Sequence, residues 1–238
     1  FNLDILNKII PFNLDILNTN YLVNIKNEIV NNITDIHYII SLAILPNRLL
    51  HIEFEKNITS LINQSIKPIK IIINYCKKYK RKMNYDKEKF IEKINYYKVK
   101  YSLLHFNEVD DFGPATKIIG LSYLNIKFNE NTKVIILDDD FEYQPHMIYY
   151  YELAYQLYNC DFIGIDEKNI INWKNKDNKD KIKQQDNIFY DNYQGFVYGW
   201  LSFSIKFSLV HNIKSFYDKM IKIKEKIFFH DDLLITLY

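Results

Sequence analysis

A chain of 238 residues with 48% hydrophobic and 25% charged residues can bury one sizeable core, or a core with an appendage. A formal net charge of +2 excludes the strongly basic balance of a dedicated nucleic-acid or membrane-surface binder. Two cysteines, Cys76 and Cys160, exclude a disulfide framework and carry no metal spacing, so both read as buried thiols. No apolar run reaches the ~18 residues needed to cross a bilayer, and the N-terminus lacks a basic-then-apolar secretory pattern. The cytoplasm is therefore the expected compartment. Opening on Phe1 and stopping inside an apolar segment at Tyr238, the chain reads as a domain of a longer polypeptide.

Residues 1–33 form an arm with a short duplication, "FNLDILN" at Phe1–Asn7 and again at Phe12–Asn18, too few copies for a solenoid. From residue 34 to 238 the pattern alternates strands with helical stretches, the mark of a mostly parallel sheet covered by helices. "IHYIISLAIL" (Ile36–Leu45) reads as a first buried strand ended by "PNR". Phe54, Ile58, Leu61 and Ile62 recur at helical spacing, and "IKIIINY" (Ile69–Tyr75) is a second buried strand. "KKYKRK" (Lys77–Lys82) reads as a solvated turn. A charged stretch leads to "VKYSLLHF" (Val99–Phe106) as a third strand, and Pro114 sits where a short helix would begin.

Val134–Leu137 make a further strand that runs directly into Asp138, Asp139 and Asp140. Met147, Tyr150, Tyr151, Ala154 and Leu157 trace a helical stripe, and "DFIGI" (Asp161–Ile165) is the next strand. The polar stretch at 166–194 is long for a connection in a compact domain and reads as disordered or as a lid. "GFVYGWLSFSI" (Gly195–Ile205) is strand-like, and "SFYDKMIKIKEKIFF" is an amphipathic helix with Ser215 as its cap.

Three adjacent carboxylates repel, and such a cluster is costly unless solvent, basic groups or a cation compensates. Carboxylates at the carboxyl end of a strand lie where open α/β sheets bind ligands. Mg²⁺ and Mn²⁺ prefer oxygen ligands, and Mg²⁺ commonly uses one or two carboxylates plus substrate phosphates. The competing reading, aspartates that only cap the following helix, is outweighed by the position after a buried strand.

The segment "VIILDDDFEYQP" resembles the Asp-x-Asp motif of family-2-like nucleotide-sugar glycosyltransferases of the GT-A fold. Three other stretches are similar to that family's in the same order: "SLAILPNRL" (Ser41–Leu49), "DDFGPATKIIG" (Asp110–Gly120) and "HDDLLI" (His230–Ile235). The resemblance covers about residues 34–238 and implies a Rossmann-like α/β fold of GT-A type. It also implies transfer of a sugar from a nucleotide-diphosphate donor, a UDP-sugar by preference, to a hydroxyl on a glycan, protein or small molecule.

By the same resemblance Asp140 would bind Mn²⁺ or Mg²⁺ directly and Asp138 would contact the ribose or the metal through water. Asp139, whose side chain is expected to alternate away, is a weaker nucleotide-sugar contact. Arg48, Asp111 and Lys117 would lie at the nucleotide or diphosphate, although an Arg after a strand and a Lys on a short helix are commonly only solvated. Asp232 would be the catalytic base of an inverting enzyme, with Asp231 orienting it, against the plainer reading of an N-cap pair. Gly195, Gly199 and Trp200 would line the donor and acceptor loop, although this stretch lacks the double glycine of some relatives. A metal-dependent nucleotidyl- or phosphotransferase, and a non-catalytic nucleotide-sugar or glycan-binding domain, are the alternatives. No nucleic-acid partner or membrane span is expected, and a homo-oligomer is left open.

Overall fold

The computed structural model describes residues 35–158, 161–164, 202–223 and 228. The duplicated arm, the 166–194 stretch, Cys160, Gly195, Gly199, Trp200, His230, Asp231 and Asp232 lie outside the described residues. In chain order the elements are β1 (Tyr38–Ala43), α1 (Pro46–Leu49), α2 (Ile52–Ile62), β2 (Lys70–Cys76), α3 (Lys87–Lys100), β3 (Leu104–Val109), α4 (Thr116–Ile119), β4 (Lys133–Leu137), α5 (Met147–Tyr158), β5 (Phe162–Gly164), β6 (Ser202–Lys206) and α6 (Ile213–Ile223).

Among the described residues the six strands form one sheet in the order β3-β2-β1-β4-β6-β5. β1 pairs in parallel with β2 and with β4, and β2 pairs in parallel with β3; β6 runs antiparallel between β4 and β5. The chain thus builds outward from β1 through β2 to β3, then crosses back to start the other half at β4. This α/β architecture, a mostly parallel sheet flanked by helices, is Rossmann-like, and its strand order reverses between β1 and β4.

The period of two along each strand divides the core. Tyr38, Ile40, Leu42, Ile71, Ile73, Ile135 and Leu137 face one layer, where Phe54, Ile58 and Leu61 of α2, Phe90, Ile94 and Tyr97 of α3, and Ile148 and Tyr151 of α5 meet them. Ile39, Ile72, Val134, Ile136, Phe203 and Ile205 face the other, against Ile118 and Ile119 of α4 and Ile213 and Tyr217 of α6. Both faces are covered, which is why the strands are continuous Ile-rich runs. Each such Ile, withdrawn from water, contributes about 1.5–3 kcal/mol. The helices of the first half lie on one face and α4 on the opposite one, as crossovers of one hand require when the strand order reverses.

Three expectations need correction. The stretch entering β3 is not strand from Val99: α3 continues to Lys100, and β3 begins only at Leu104. Its helical stripe, Phe90, Ile94 and Tyr97, is thin among lysines and glutamates, and the cap is Asp86, whose carboxylate accepts from the amides of Glu88 and Lys89 at 3.1 Å. Ser215 is not a cap, because α6 starts at Ile213 directly after a 3₁₀ segment at Phe207–Asn212. The first strand ends at Ala43, since Leu45 takes an extended conformation as the N-cap of α1, with Pro46 at its first position. No helix among the described residues is long and apolar enough to cross a membrane.

Candidate functional site

Leu137 is the last strand residue of β4, so the three aspartates leave the sheet at its carboxyl edge, beside the point where the order reverses. β1 ends next to them, and its continuation into α1 carries Arg48. The Arg48 guanidinium pairs with the Asp139 carboxylate and, at 2.9 Å, with that of Asp140. Asp138 accepts from the Lys117 ammonium at 2.9 Å. The alternation expected to turn Asp139 away does not hold, because regular strand geometry stops at Leu137; Asp139 and Asp140 converge on one cation instead. Basic groups, one of the three means of compensation, are therefore present in the structure itself: two cations face three carboxylates.

Burial grades the three acids. Asp140 is 45% exposed and Asp138 28%, whereas Asp139 is only 8% exposed. Burial pushes the Asp139 carboxyl up to about 6, although Arg48 pulls the other way; the neighbouring Asp140 adds to the rise. The same two carboxylates raise the Arg48 guanidinium, more than offsetting the burial that would lower it. One oxygen of Asp139, Oδ2, is buried with no hydrogen-bond partner, an expensive arrangement for an ionised group.

Lys117 is 3% exposed, not the solvated lysine its short helix suggests. A buried polar ladder seats it. Ser41 Oγ of β1 donates to the Lys117 carbonyl at 2.5 Å and accepts from the Asn74 amide of β2 at 2.9 Å. Asn107 of β3 in turn donates to Asn74 Oδ1 and to the Gly120 carbonyl, both at 2.8 Å. A Cβ on Gly120 would stand 2.3 Å from Asn74 Oδ1, so only glycine lets α4 sit this close to the ladder.

Asp111 is buried, and both of its oxygens accept backbone amides, from Gly113 at 2.8 Å and from Lys80 at 2.7 Å. It ties the Gly113 turn to the basic loop after β2. Gly113 has φ +63°, and a Cβ there would also lie 2.1 Å from the Phe228 carbonyl oxygen, so glycine is required twice over.

The segment after the aspartates is held by groups that the sequence did not mark. The Tyr143 hydroxyl donates to the Asp138 carbonyl at 2.9 Å and accepts from the Asp138 amide at 3.1 Å, bracketing that residue's backbone. Ser60 Oγ accepts from the Tyr143 amide at 3.0 Å, Asn57 donates to the Phe141 carbonyl at 2.6 Å, and Gln64 donates to the Gln144 carbonyl at 2.8 Å. The only hint in the sequence is that Asn57 and Ser60 share a face of α2, with Gln64 just past its end. Cys76 is buried, as expected, and burial pushes its thiol up to about 12, so it stays protonated near neutral pH.

Among the described residues no three His, Cys, Asp or Glu side chains converge as a protein-only metal cage. The aspartate cluster suits a different kind of site, in which one or two carboxylates share a hard cation with phosphate oxygens. Its donor set is all oxygen, its formal charge with Arg48 and Lys117 is still negative by one, and it holds an unpartnered buried oxygen. No family model matches the chain, and no curated protein matches it either. What the fold and this geometry define is an α/β domain with a charged cluster at the switch point of its sheet.

Proposed function

We propose that the chain is a GT-A type glycosyltransferase domain that moves a sugar from a nucleotide-diphosphate donor, a UDP-sugar by preference, to a hydroxyl acceptor. The observation that carries this reading is the meeting of Asp138, Asp139 and Asp140 with Arg48 and Lys117 at the reversal between β1 and β4. Ligands of open α/β sheets bind at that crevice. The motif order noted in the sequence supplies the reaction class.

In this reading Asp138 and Asp140 hold Mn²⁺ or Mg²⁺ together with the donor diphosphate, and the cation supplies charge neutralisation at the leaving group. Arg48 keeps Asp139 and Asp140 together until the donor arrives and then faces its phosphates. Asp232 takes the proton of the acceptor hydroxyl as that oxygen attacks the anomeric carbon, and the departing diphosphate oxygen keeps the electron pair. What supports the last assignment is the resemblance of "HDDLLI" to the family's late acidic pair; Asp232 itself lies outside the described residues.

Calorimetric titration of UDP with Mn²⁺ into the wild type and Asp140→Ala tests the proposal. The wild type should bind, and the variant should bind at least tenfold more weakly. Equal, metal-independent binding by both would rule out the site assignment. Release of pyrophosphate rather than UDP from a sugar-nucleotide would favour a nucleotidyltransferase instead.

A further inference from the structure

The basic run Lys77–Lys82 is more than a solvated turn. It follows β2 on the sheet's carboxyl edge, and its backbone is pinned there from both sides. Tyr79 turns inward, its hydroxyl donating to the Ile44 carbonyl at 2.9 Å and accepting from the Cys76 amide at 3.3 Å. The Lys77 amide donates to the Val109 carbonyl at 3.1 Å, and the Lys80 amide to Asp111 at 2.7 Å. The loop is thereby fixed between the ends of β1 and β3, the strands whose continuations carry Arg48 and Lys117.

Its five cations, Lys77, Lys78, Lys80, Arg81 and Lys82, are all exposed. Lys80 lies over the Phe228 ring at 4.5 Å, and Lys77, Lys78 and Lys82 make no ion pair among the described residues. The nearby carboxylates of Glu108, Asp110 and Asp111 bond to the Tyr75 hydroxyl, the Tyr123 hydroxyl and backbone amides rather than to these lysines, and the five cations outnumber the three charges these acids carry. Arg48 and Lys117 are matched by aspartates, so the positive charge of this edge is concentrated in the loop.

We propose that this loop is a docking site for a phosphate-bearing acceptor, the anionic group lying on Lys77, Lys78 and Lys82 beside the crevice. The acceptor role rests on the sugar-transfer reading above; the anion site does not. A dense anion fits better than the alternatives because the one aromatic of the run, Tyr79, is half-buried with its hydroxyl turned inward. That leaves no fully exposed ring in the run on which single-stranded nucleic acid would stack and no apolar tip to enter a lipid surface. Compact cationic clusters of this kind recognise phosphate oxygens and raise the encounter rate of anionic ligands.

The test is calorimetry of inorganic tripolyphosphate, in EDTA, against the full chain and two variants. One variant is Lys77→Ser, Lys78→Ser, Lys82→Ser; the other removes the same charge elsewhere, at the exposed Lys98, Lys127 and Lys222. Tripolyphosphate binding should weaken at least tenfold in the loop variant and less than twofold in the control, with UDP·Mn²⁺ binding within twofold of wild type in both. Equal weakening in the two variants would reduce the effect to bulk charge and overturn the site. If the loop variant lost UDP·Mn²⁺ binding to the same degree, the loop would belong to the donor site and the acceptor role would fall. Capture of wild type, but not the loop variant, by phosphatidylglycerol vesicles would overturn the acceptor role in favour of a membrane surface. A wild type that binds tripolyphosphate but not UDP·Mn²⁺ would refute sugar transfer while leaving the anion site standing.

Discussion

The two ends of β4 carry charge in opposite styles. At its start, Lys133 pairs at 2.5 Å with Glu152 of α5, whose carboxylate also accepts from the Tyr38 hydroxyl at 3.0 Å and from Gln156 at 2.9 Å. Glu152 is 1% exposed, and the Lys133 ammonium lies over the Tyr155 ring at 4.8 Å. Every oxygen is used, and the charges cancel. At its far end, three carboxylates share two cations, two of the acids reach solvent, and a buried oxygen is unpartnered. A closed cluster holds helix to sheet; an open, over-supplied one has capacity left for a ligand.

The strongest way to break this contrast is at the closed end. Glu152→Ala should cost about 3 kcal/mol, because it strands a largely buried lysine and leaves Tyr38 without its acceptor. Urea unfolding measures this, and pairing Glu152→Leu with Lys133→Met should recover most of the loss. UDP·Mn²⁺ binding by the folded fraction should be unchanged in both.

At the open end the effect of charge should depend on pH. The Asp139 carboxyl is raised in the folded state to about 6, so the native protein holds its proton more tightly than the unfolded chain. Its contribution is complete below about pH 4, the usual carboxylate range, and is lost as pH rises through 6, about 2–3 kcal/mol in all. Asp139→Asn removes that dependence. The stability of the variant relative to wild type should therefore improve by about that amount between pH 4 and pH 7, by urea unfolding at each pH.

Tyr143→Phe removes the hydroxyl that brackets Asp138 and should cost about 1 kcal/mol. If the bracket positions the aspartate, UDP·Mn²⁺ affinity should also fall several-fold, a readout that a merely structural hydroxyl would not move. Asp140→Ala should have the smallest effect on stability, within about 0.5 kcal/mol for a half-exposed acid, alongside the loss of UDP·Mn²⁺ binding already described. A large destabilisation there would mean that the open cluster is structural like the closed one.

Much of this was legible in the chain. The Ile-rich runs marked β1, β2 and β4 because strands covered on both faces are apolar at nearly every position, and three adjacent aspartates marked a site because like charges do not gather without compensation. The thin apolar stripe of α3 was masked by its lysines and glutamates, and the 3₁₀ segment ahead of α6 moved the helix start past any cap signal at Ser215. The Ile36–Leu45 run did not show its own end, which Pro46 and the extended Leu45 set.

The sequence by itself determined the α/β alternation, the acid cluster and its place after a strand, since these depend on local periodicity and on charges adjacent in the chain. Which cation meets which acid was decided only by tertiary structure. Arg48 and Asp139 are 91 residues apart, Lys117 and Asp138 are 21 apart, and the Ser41–Asn74–Asn107 ladder exists only because β1, β2 and β3 lie side by side. So too with the basic loop: its charges are plain in the chain, but the inward turn of Tyr79 and the hold of Asp111 that fix it at the ligand edge come from contacts 35 and 31 residues away, which no local pattern encodes.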